Sequence, residues 1–506
     1  MNKCLSLIYT SDIHGALFPI DYVSNSWSER GILWLKDYLK KIKNPYLLLD
    51  NGDLMQGTPL MDLWLASSMD EPAPLNLAYN ELKYDYLNIG NHDFNYGLKA
   101  QKRFFELMDA QTLCANIEGL PYQKYVIREI NEIKVGIIGV VTQHLPHWEH
   151  PENLKGLEIH DAYEYLKEIV PKVKTQCDVL VVLYHGGFER DLKTGQKIGR
   201  DTLENEGYQI ASELDIDVLL CGHQHQRFGP HILNNTLTME IRDSGKELGR
   251  VDLEFTRIEG KWELTSKKGQ IVPCHYSKNY QVSDELEVWA ERVEIELSKP
   301  LGTCDERYAI KDQFQARLNQ NPLFDYLGQV ILDYTGADIA ASSLNNSAPG
   351  FKGLITQRDI FSNFIYPNTF MVISVTGAKL KAALERCAAF FDKQDGKYQV
   401  GEAFLKPKVE YYNYDVFVGL DYVIDINKPI GERITSMKFK GKDIQATDKL
   451  SLALNNYRAV GGGEYTMYED CEIIREFPLS AQEIYRQRII KDGGIKESKC
   501  WYQIKK

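Results

Sequence analysis

Five short polar motifs contain residue types that bind metal ions. In chain order they are Ser11-Asp12-Ile13-His14, Asn51-Gly52-Asp53, Gly90-Asn91-His92-Asp93, Tyr184-His185-Gly186-Gly187 and Gly222-His223-Gln224-His225. Their hard oxygen and nitrogen donors suit Mn, Fe, Zn or a similar divalent ion better than calcium. The same mixture suits two metal ions that share one carboxylate and promote displacement at phosphorus.

Each motif alone also has an ordinary structural interpretation. An Asp-x-His triplet arises by chance in a chain of 506 residues. A single His after a strand is commonly a hydrogen-bonded structural residue. The five motifs taken together favour a metal site over a set of buried structural polar residues.

The elements that must position these motifs form a repeating pattern in the first half of the chain. Short apolar, β-rich runs at residues 5–10, 46–50, 86–90, 135–141, 179–184 and 218–221 predict strands, with amphipathic helical stretches between them. One helical face carries Ile32, Leu33, Leu35, Tyr38, Leu39 and Ile42. The alternation predicts a layered α/β fold, in which polar groups at strand ends gather at one edge.

The pattern changes beyond about residue 255, and the length favours two domains. The charged stretch 284–299, with apolar Leu286, Trp289, Val293 and Leu297, predicts a connecting helix. We therefore predict a catalytic domain over residues 1–270, a connecting segment over 271–305 and a mixed α/β domain over 306–506.

The composition bears on the partners and the cellular compartment of the protein. The 59 basic and 71 acidic residues give a formal charge of −12 without a Lys/Arg-rich run, so polymeric nucleic acid is not an expected partner. Nine scattered cysteines without a CxxC pair indicate a reducing compartment. The segment MNKCLSLIYTSDIHG contains neither a secretory signal nor a membrane span, so we expect a cytoplasmic protein with no membrane partner.

The five motifs resemble the calcineurin-like metallophosphoesterase family, and the chain from about residue 4 nearly to its C-terminus resembles the family's 5′-nucleotidase branch. The resemblance implies a β-sandwich flanked by helices, followed by a C-terminal 5′-nucleotidase-type domain. It also implies two divalent metal ions. Asp12, His14 and His225 would bind one ion, Asn91, His185 and His223 would bind the other, and Asp53 would bridge them.

The resemblance gives His92 a catalytic role, in which it stabilises developing charge or assists the leaving oxygen. In the nucleotidases proper, an Asp three residues later orients this His, whereas Asn95 occupies the position here. Asn95 can still accept a hydrogen bond but carries no charge. This form resembles the 2′,3′-cyclic-nucleotide 2′-phosphodiesterase/3′-nucleotidase subgroup.

Three segments of the second half resemble nucleotide-binding loops: SSLNNSAPGF, YYNYDVFVGLDYVID and NNYRAVGGGEYTMY. The resemblance implies that Tyr414 and Tyr465 sandwich the base and that Asn345 lies near the sugar or base. Either tyrosine could instead be a core or surface residue, since the chain contains 30 tyrosines. The family's arginine-bearing NGGGIR loop is absent, and Arg458 is a substitute candidate.

The segment QHLPHWEHP spaces His144, His147 and His150 three residues apart, but Pro146 and Pro151 prevent a helix that would align them. We expect a surface or rim loop near the site.

The expected function is a metal-dependent phosphoric ester hydrolase acting on small nucleotides, with cyclic and 3′-nucleotides as the leading substrates. A 5′-nucleotidase or nucleotide-sugar hydrolase is the nearest alternative. A non-catalytic nucleotide sensor with the same fold is an alternative of another class.

Overall fold

The computed structural model describes residues 2–198, 203–277, 280–366, 368–406 and 409–506. The chain divides into two compact units, Met1–Val293 and Glu294–Lys506. The division falls inside the helix Asp284–Leu297, whose Leu286, Trp289 and Val293 are buried. Among the described residues, no helix combines the length and apolar character needed to cross a membrane. All nine cysteines are free thiols.

The first unit is built from short strands and helices. Its strands are β1 Asn2–Thr10, β2 Ile20–Asp21, β3 Ser26–Trp27, β4 Tyr46–Asp50, β5 Tyr86–Leu87, β6 Gln111–Thr112, β7 Ile117–Glu118, β8 Tyr125–Ile130, β9 Ile133–Val141, β10 Glu158–Ile159, β11 Val179–His185, β12 Val218–Cys221, β13 Phe228–Leu233, β14 Thr236–Glu240, β15 Glu247–Ile258 and β16 Lys261–Pro273. Its helices are α1 Leu35–Leu39, α2 Pro59–Leu65, α3 Pro74–Leu82, α4 Gly97–Glu106, α5 Ala162–Lys174 and α6 Gly207–Glu213, followed by α7 Asp284–Leu297 at the division.

Two six-stranded sheets form the centre of this unit, in the orders β16-β15-β1-β4-β5-β6 and β13-β14-β12-β11-β9-β8. Alternate side chains from both sheets, such as Leu7, Leu49, Ile137 and Val181, share one buried cluster. The opposite face of the second sheet packs on α5 and α6 through residues such as Leu166. The unit is therefore the expected sandwich of two sheets flanked by helices.

The second unit also mixes strands and helices. Its strands are β17 Pro300–Cys304, β18 Ile339–Ser342, β19 Gly353–Thr356, β20 Thr369–Thr376, β21 Phe391–Gln394, β22 Lys397–Val400, β23 Val416–Val418, β24 Asp421–Asp425, β25 Ile434–Phe439, β26 Lys442–Asp443, β27 Lys449–Asn455, β28 Ile473–Ser480 and β29 Tyr502–Lys505. Its helices are α8 Gln313–Leu318, α9 Leu323–Thr335, α10 Gln357–Asn363, α11 Gly377–Ala388, α12 Asn456–Ala459 and α13 Ala481–Asp492. A five-stranded sheet, β23-β18-β27-β20-β28, and a four-stranded sheet, β26-β25-β24-β29, share one core with these helices.

Candidate metal centre

The five polar motifs lie at one edge of the sandwich. In the first sheet β1, β4 and β5 are parallel, with Thr10 paired to Asp50 at their ends. In the second sheet β9, β11 and β12 are parallel, with His185 paired to Val141. Since parallel strands end at the same sheet edge, the residues that follow them converge there.

Five of the seven candidate ligands have left-handed backbone conformations. The φ angles are 55° at Asp12, 51° at His14, 59° at Asp53, 75° at His223 and 57° at His225. Such angles are uncommon for residues other than glycine and cost energy, so they persist only where surrounding structure enforces them. Their concentration in these motifs marks a functional site rather than ordinary turns.

Two glycines allow backbone to approach the carboxylates. A Cβ atom at Gly90 would overlap the Asp53 carboxylate. A Cβ atom at Gly222 would overlap the Ser11 hydroxyl and lie 2.6 Å from Asp12 Oδ2. A side chain at either position would therefore displace a candidate ligand.

The first group of ligands closes around a small volume. Single donor atoms from Asp12, His14, Asp53 and His225 all lie within 4.8 Å of one another. The Nε2 atoms of His14 and His225 are 3.0 Å apart, and His225 Nε2 is 3.4 Å from Asp12 Oδ1. The other ring nitrogen of His14 lies 2.8 Å from the Gln56 carbonyl oxygen, which orients the ring.

The second group contains Asn91, His185 and His223. His223 Nδ1 lies 2.9 Å from Asn91 Oδ1, so these two donor atoms face the same point. His185 Nδ1 lies 2.7 Å from the Asn51 carbonyl oxygen, which directs Nε2 toward Asp53. The backbone N–H of His223 donates to Asp12, which connects this group to the first.

Asp53 lies between the two groups. Its Oδ2 is 3.2 Å from His185 Nε2 and 3.7 Å from His14 Nε2. Asp53 Oδ2 and His185 Nε2 are buried but do not hydrogen-bond, although buried polar atoms normally have partners. Lone-pair donors that face one another in this way fit divalent cations, with Asp53 in the bridging position.

The protonation preferences of the donors follow from this crowding. Burial, reinforced by His225, lowers the pKa of His14 to about 4. Burial also opposes charge on His185, but the Asp53 carboxylate outweighs it and raises the pKa of His185 to about 10. Burial would raise the pKa of Asp53, but His185 and other cationic neighbours hold it well below its ordinary value. His14 therefore keeps a free lone pair at neutral pH, whereas a metal ion at His185 has to compete with a proton.

His92 and Asn95 lie beside this centre. The His92 ring centroid is 5.4 Å from that of His14, and its backbone N–H donates to Asp53 Oδ1 over 2.7 Å. His92 Nδ1 lies 2.8 Å from Asn95 Oδ1. The structure thus places the proposed catalytic His and its orienting Asn in direct contact.

Three residues near the centre were not identified from the sequence. Glu204 Oε1 lies 2.9 Å from His223 Nε2, the ring nitrogen that faces away from Asn91. Trp148 contacts His223, with ring centroids 5.3 Å apart, and Glu149 hydrogen-bonds Asn95. Trp148 and Glu149 belong to the loop predicted at the rim, in which the His144 and His147 rings stack. The three-residue spacing of the histidines marks this loop in the sequence, but it gives no role to the Trp and Glu within it.

The predicted base sandwich in the second unit is wrong. Tyr414 and Tyr465 are both fully buried. The Tyr414 ring packs against Phe390, with centroids 5.0 Å apart, and also against Phe391. Tyr465 donates its hydroxyl to the Asn413 carbonyl oxygen. Both rings face the core of this unit, so neither offers a face to a base.

The structure also corrects the substrate roles predicted for Arg458 and Asn345. Arg458 is buried, its Nε donates to Asp415 over 2.9 Å, and its guanidinium carbon lies 4.1 Å from the Tyr465 ring centroid. The Asn345 side chain donates to the carbonyl oxygens of Ser362 and Asn363. Both residues use their polar groups to brace loops within the unit.

Two neighbouring tyrosines are more exposed than Tyr414 and Tyr465. Tyr412 and Tyr457 are half-buried. Burial, with Tyr457 and Glu410 nearby, raises the pKa of Tyr412 well above its ordinary value. Tyr457 also lies next to Arg458, with 5.6 Å from the guanidinium carbon to the ring centroid. In the sequence, Tyr412 lies two residues before Tyr414, and Tyr457 directly precedes Arg458.

Comparison with known proteins gives matches in both units. Residues 5–227 match the family described as calcineurin-like phosphoesterase, and residues 300–470 match the 5′-nucleotidase C-terminal domain. The chain is 32% identical to a Staphylococcus aureus protein provisionally described as a 5′-nucleotidase, solved in complex with alpha-ketoglutarate. That similarity covers 100% of both chains with a TM-score of 0.91.

Curated relatives include nucleotide hydrolases. The chain is 26% identical to the Haemophilus influenzae 2′,3′-cyclic-nucleotide 2′-phosphodiesterase/3′-nucleotidase, over 97% of this chain and 86% of that protein. It is 27% identical to the trifunctional nucleotide phosphoesterase YfkN of Bacillus subtilis, over 97% of this chain. The chain spans 38% of the length of YfkN.

Proposed function

Because the chain belongs to the calcineurin-like phosphoesterase family, in its branch with a 5′-nucleotidase C-terminal domain, we propose that it hydrolyses cyclic 2′,3′-nucleotides and 3′-nucleotides. It is a metal-dependent phosphoric ester hydrolase that uses two divalent ions. The proposal therefore concerns the substrate and the role of each residue.

One observation carries the assignment of residue roles in hydrolysis. Asp53 Oδ2 lies between His185, the last residue of β11, and His14, in the loop after β1, and these two belong to different ligand groups and different sheets. A carboxylate in that position can hold two cations at once, with Asp12 and His225 on one side and the second group on the other. Two adjacent cations are the arrangement that phosphoester hydrolysis requires.

When bound, the two divalent ions polarise the phosphate and activate water. The protein side chains fix that chemistry in place. Asn51 and Gln56 orient the rings of His185 and His14 through their carbonyl oxygens. His92 is held by Asn95 beside the centre, where it can stabilise charge on phosphate oxygens or transfer a proton to the leaving oxygen.

The choice of cyclic and 3′-nucleotides has two supports. Asn95 occupies the position where the nucleotidases proper carry an Asp, as in the subgroup that the sequence resembles. The relatives from Haemophilus influenzae and Salmonella typhimurium bear the name of that subgroup at 26% and 27% identity. For base binding we propose Tyr412 and Tyr457, because stacking requires accessible aromatic faces.

A second candidate is 5′-nucleotide hydrolysis at the same metals. The Staphylococcus aureus protein, at 32% identity, is described in those terms, which supports this alternative. A nucleotide sensor without catalysis is the remaining candidate from another class.

The test is product analysis with 2′,3′-cyclic AMP, 3′-AMP, 5′-AMP and a nucleotide sugar, each with Mn²⁺ and with chelator. The variants are His92→Ala and, as matched control, His275→Ala, whose imidazole is 79% exposed. We expect metal-dependent opening of the cyclic ester and cleavage of 3′-AMP. His92→Ala should lower kcat about 10²- to 10⁴-fold.

Each outcome selects one candidate. Preference for 5′-AMP would keep the hydrolase and replace the substrate. Binding of nucleotide without metal-dependent hydrolysis would favour the sensor. Equal losses of kcat in His92→Ala and His275→Ala would show that His92 takes no part in the reaction.

We also propose a cytoplasmic location, which the nine free thiols support. Fractionation of the source cells, with detection of the native protein, tests it. Recovery outside the cytoplasm would overturn it.

A further inference from the structure

The loop after β9 brings a buried carboxylate to the side chain that orients His92. Glu149 is 8% exposed and lies between the short 3₁₀ turns Leu145–His147 and Pro151–Leu154. Its Oε2 accepts a hydrogen bond from Asn95 Nδ2 over 2.7 Å. Asn95 therefore connects Glu149 on one side with His92 on the other.

Glu149 is itself held in one orientation. Its Oε1 accepts from the backbone N–H of His150 and from Asn153 Nδ2, both over 2.8 Å. Asn153 Nδ2 also lies 3.3 Å from the Asn95 carbonyl oxygen. The carboxylate is thus fixed by three N–H donors rather than mobile in solvent.

A carboxylate accepts hydrogen bonds but donates none, whereas an Asn amide has one donating and one accepting end. Because Glu149 accepts from Asn95, the amide nitrogen must face Glu149 and the amide oxygen must face His92. That oxygen requires a proton on His92 Nδ1. The neutral ring then carries its lone pair on Nε2.

We infer that Glu149 is a positioning residue that selects the tautomer of His92 by orienting the Asn95 amide. The inference rests on the proposed role of His92 in hydrolysis. It assigns to the pair Asn95 and Glu149 the function that a single carboxylate would serve next to a His. It also explains how an uncharged Asn can orient His92 in only one way.

The test is a double-mutant cycle at Asn95 and Glu149. Glu149→Gln offers Asn95 a donor as well as an acceptor, so the amide can reverse and present N–H to His92. We expect kcat to fall about 10- to 100-fold, as for other orienting partners, with little change in KM. Asn95→Asp places two carboxylates against each other and should lower kcat similarly.

The double variant Asn95→Asp/Glu149→Gln restores a consistent set of donors and acceptors. The introduced glutamine amide would donate to the introduced aspartate, and that aspartate would accept from His92 Nδ1–H. We expect the kcat of the double variant to lie within about 5-fold of the wild type, which requires coupling between the sites. If Glu149 had only a structural role, the kcat losses of the two single variants would multiply in the double variant. That result would overturn the inference.

A measurement on the metal-free protein separates this inference from the proposed function. In ¹⁵N-histidine NMR under mildly alkaline conditions, where ordinary imidazole is neutral, the His92 signal is assigned with His92→Ala. We expect the Nδ1–H form in wild type and in Glu152→Gln, a control with an exposed glutamate in the same loop. Glu149→Gln should shift the signal toward the Nε2–H form. An unchanged signal would contradict the inference even if the enzyme hydrolyses nucleotides normally.

Discussion

Backbone strain and short contacts are concentrated at the residues proposed to bind metal. Left-handed conformations cost about 1–3 kcal/mol each, so the five strained ligands need compensation from their surroundings. Hydrogen bonds to the carboxylates, such as His223 N–H to Asp12 and His92 N–H to Asp53, supply part of it. Metal binding would supply more, since it neutralises crowded lone pairs.

The close packing around Gly222 gives a prediction about the site. In Gly222→Ala the new methyl group would overlap the Ser11 hydroxyl and press on Asp12. We expect metal-dependent activity to fall at least about 10²-fold, because a ligand misplaced by 1 Å costs that much. Activity and bound metal are measured together. Gly260→Ala is the control, since its φ is 86° but a Cβ there meets no atom within 4 Å. Equal effects of the two substitutions would refute the packing argument.

Glu204 gives a prediction about metal affinity. It contacts His223 Nε2, the nitrogen remote from Asn91, and so fixes the ring's orientation. Glu204→Gln should weaken binding of one metal about 10- to 100-fold, as for other partners of metal-binding histidines. Competition with a chromophoric chelator measures the affinity. Glu168→Gln, at an exposed position on α5, should leave it unchanged. Unaltered affinity in Glu204→Gln would exclude this orienting role.

Residue-level prediction from the sequence depended on local context. Asp12, His185 and His223 could be located because each follows an apolar strand whose end is readable from the pattern. The burial of Tyr414 could not be predicted, because this residue follows a 3₁₀ turn, Tyr411–Asn413, in which strand alternation does not tell which ring faces the core. Glu149 could not be found, because a proline-containing loop has no periodicity that predicts its path.

At the level of elements, the strands of the first unit were more predictable than its helices. The strands predicted over 46–50 and 218–221 have the predicted bounds, Tyr46–Asp50 and Val218–Cys221. The predicted helix around residues 32–42 is shorter, Leu35–Leu39. In the second unit the apolar run FVGLDYVIDI is divided between two strands, because Gly419 turns the backbone at φ 89°. Apolar runs identify buried strands, but they do not reveal where a turn interrupts them.

The end of β4 carries a buried acid whose titration affects stability. Burial raises the pKa of Asp50 to about 7, although Thr10, Tyr79 and the Gly52 N–H donate hydrogen bonds to it. The folded state therefore binds this proton more tightly than the unfolded state, in which the pKa is about 4. The resulting stabilisation is complete below about pH 4 and is lost as the pH rises through about 7.

Asp50→Asn does not ionise and should not lose stability in this way. The free energy of unfolding of Asp50→Asn relative to wild type should increase by up to about 4 kcal/mol between about pH 4 and about pH 7. Urea unfolding across that range measures it, with the exposed Asp70→Asn as control. A difference that stays constant with pH would show that Asp50 does not titrate there.

At the scale of the whole molecule, each unit has its own hydrophobic core. The candidate ligands all belong to the first unit, and the half-buried Tyr412 and Tyr457 belong to the second. The number of domains followed from length and pattern. The sequence did not predict which residues form the second core, because no pattern distinguishes core tyrosines from surface tyrosines among the 30 in the chain.

Separate cores predict separate unfolding transitions, only one of which depends on metal. A ligand that binds only the folded state stabilises it, by about 2.7 kcal/mol at a concentration 100 times its Kd. Differential scanning calorimetry of the full chain should therefore show one transition that Mn²⁺ raises and chelator lowers, and a second that neither moves. His185→Ala should abolish the metal-dependent shift and leave the other transition in place. A single transition that metal shifts as a whole would instead indicate that the two cores unfold as one cooperative unit, since the candidate ligands lie only in the first.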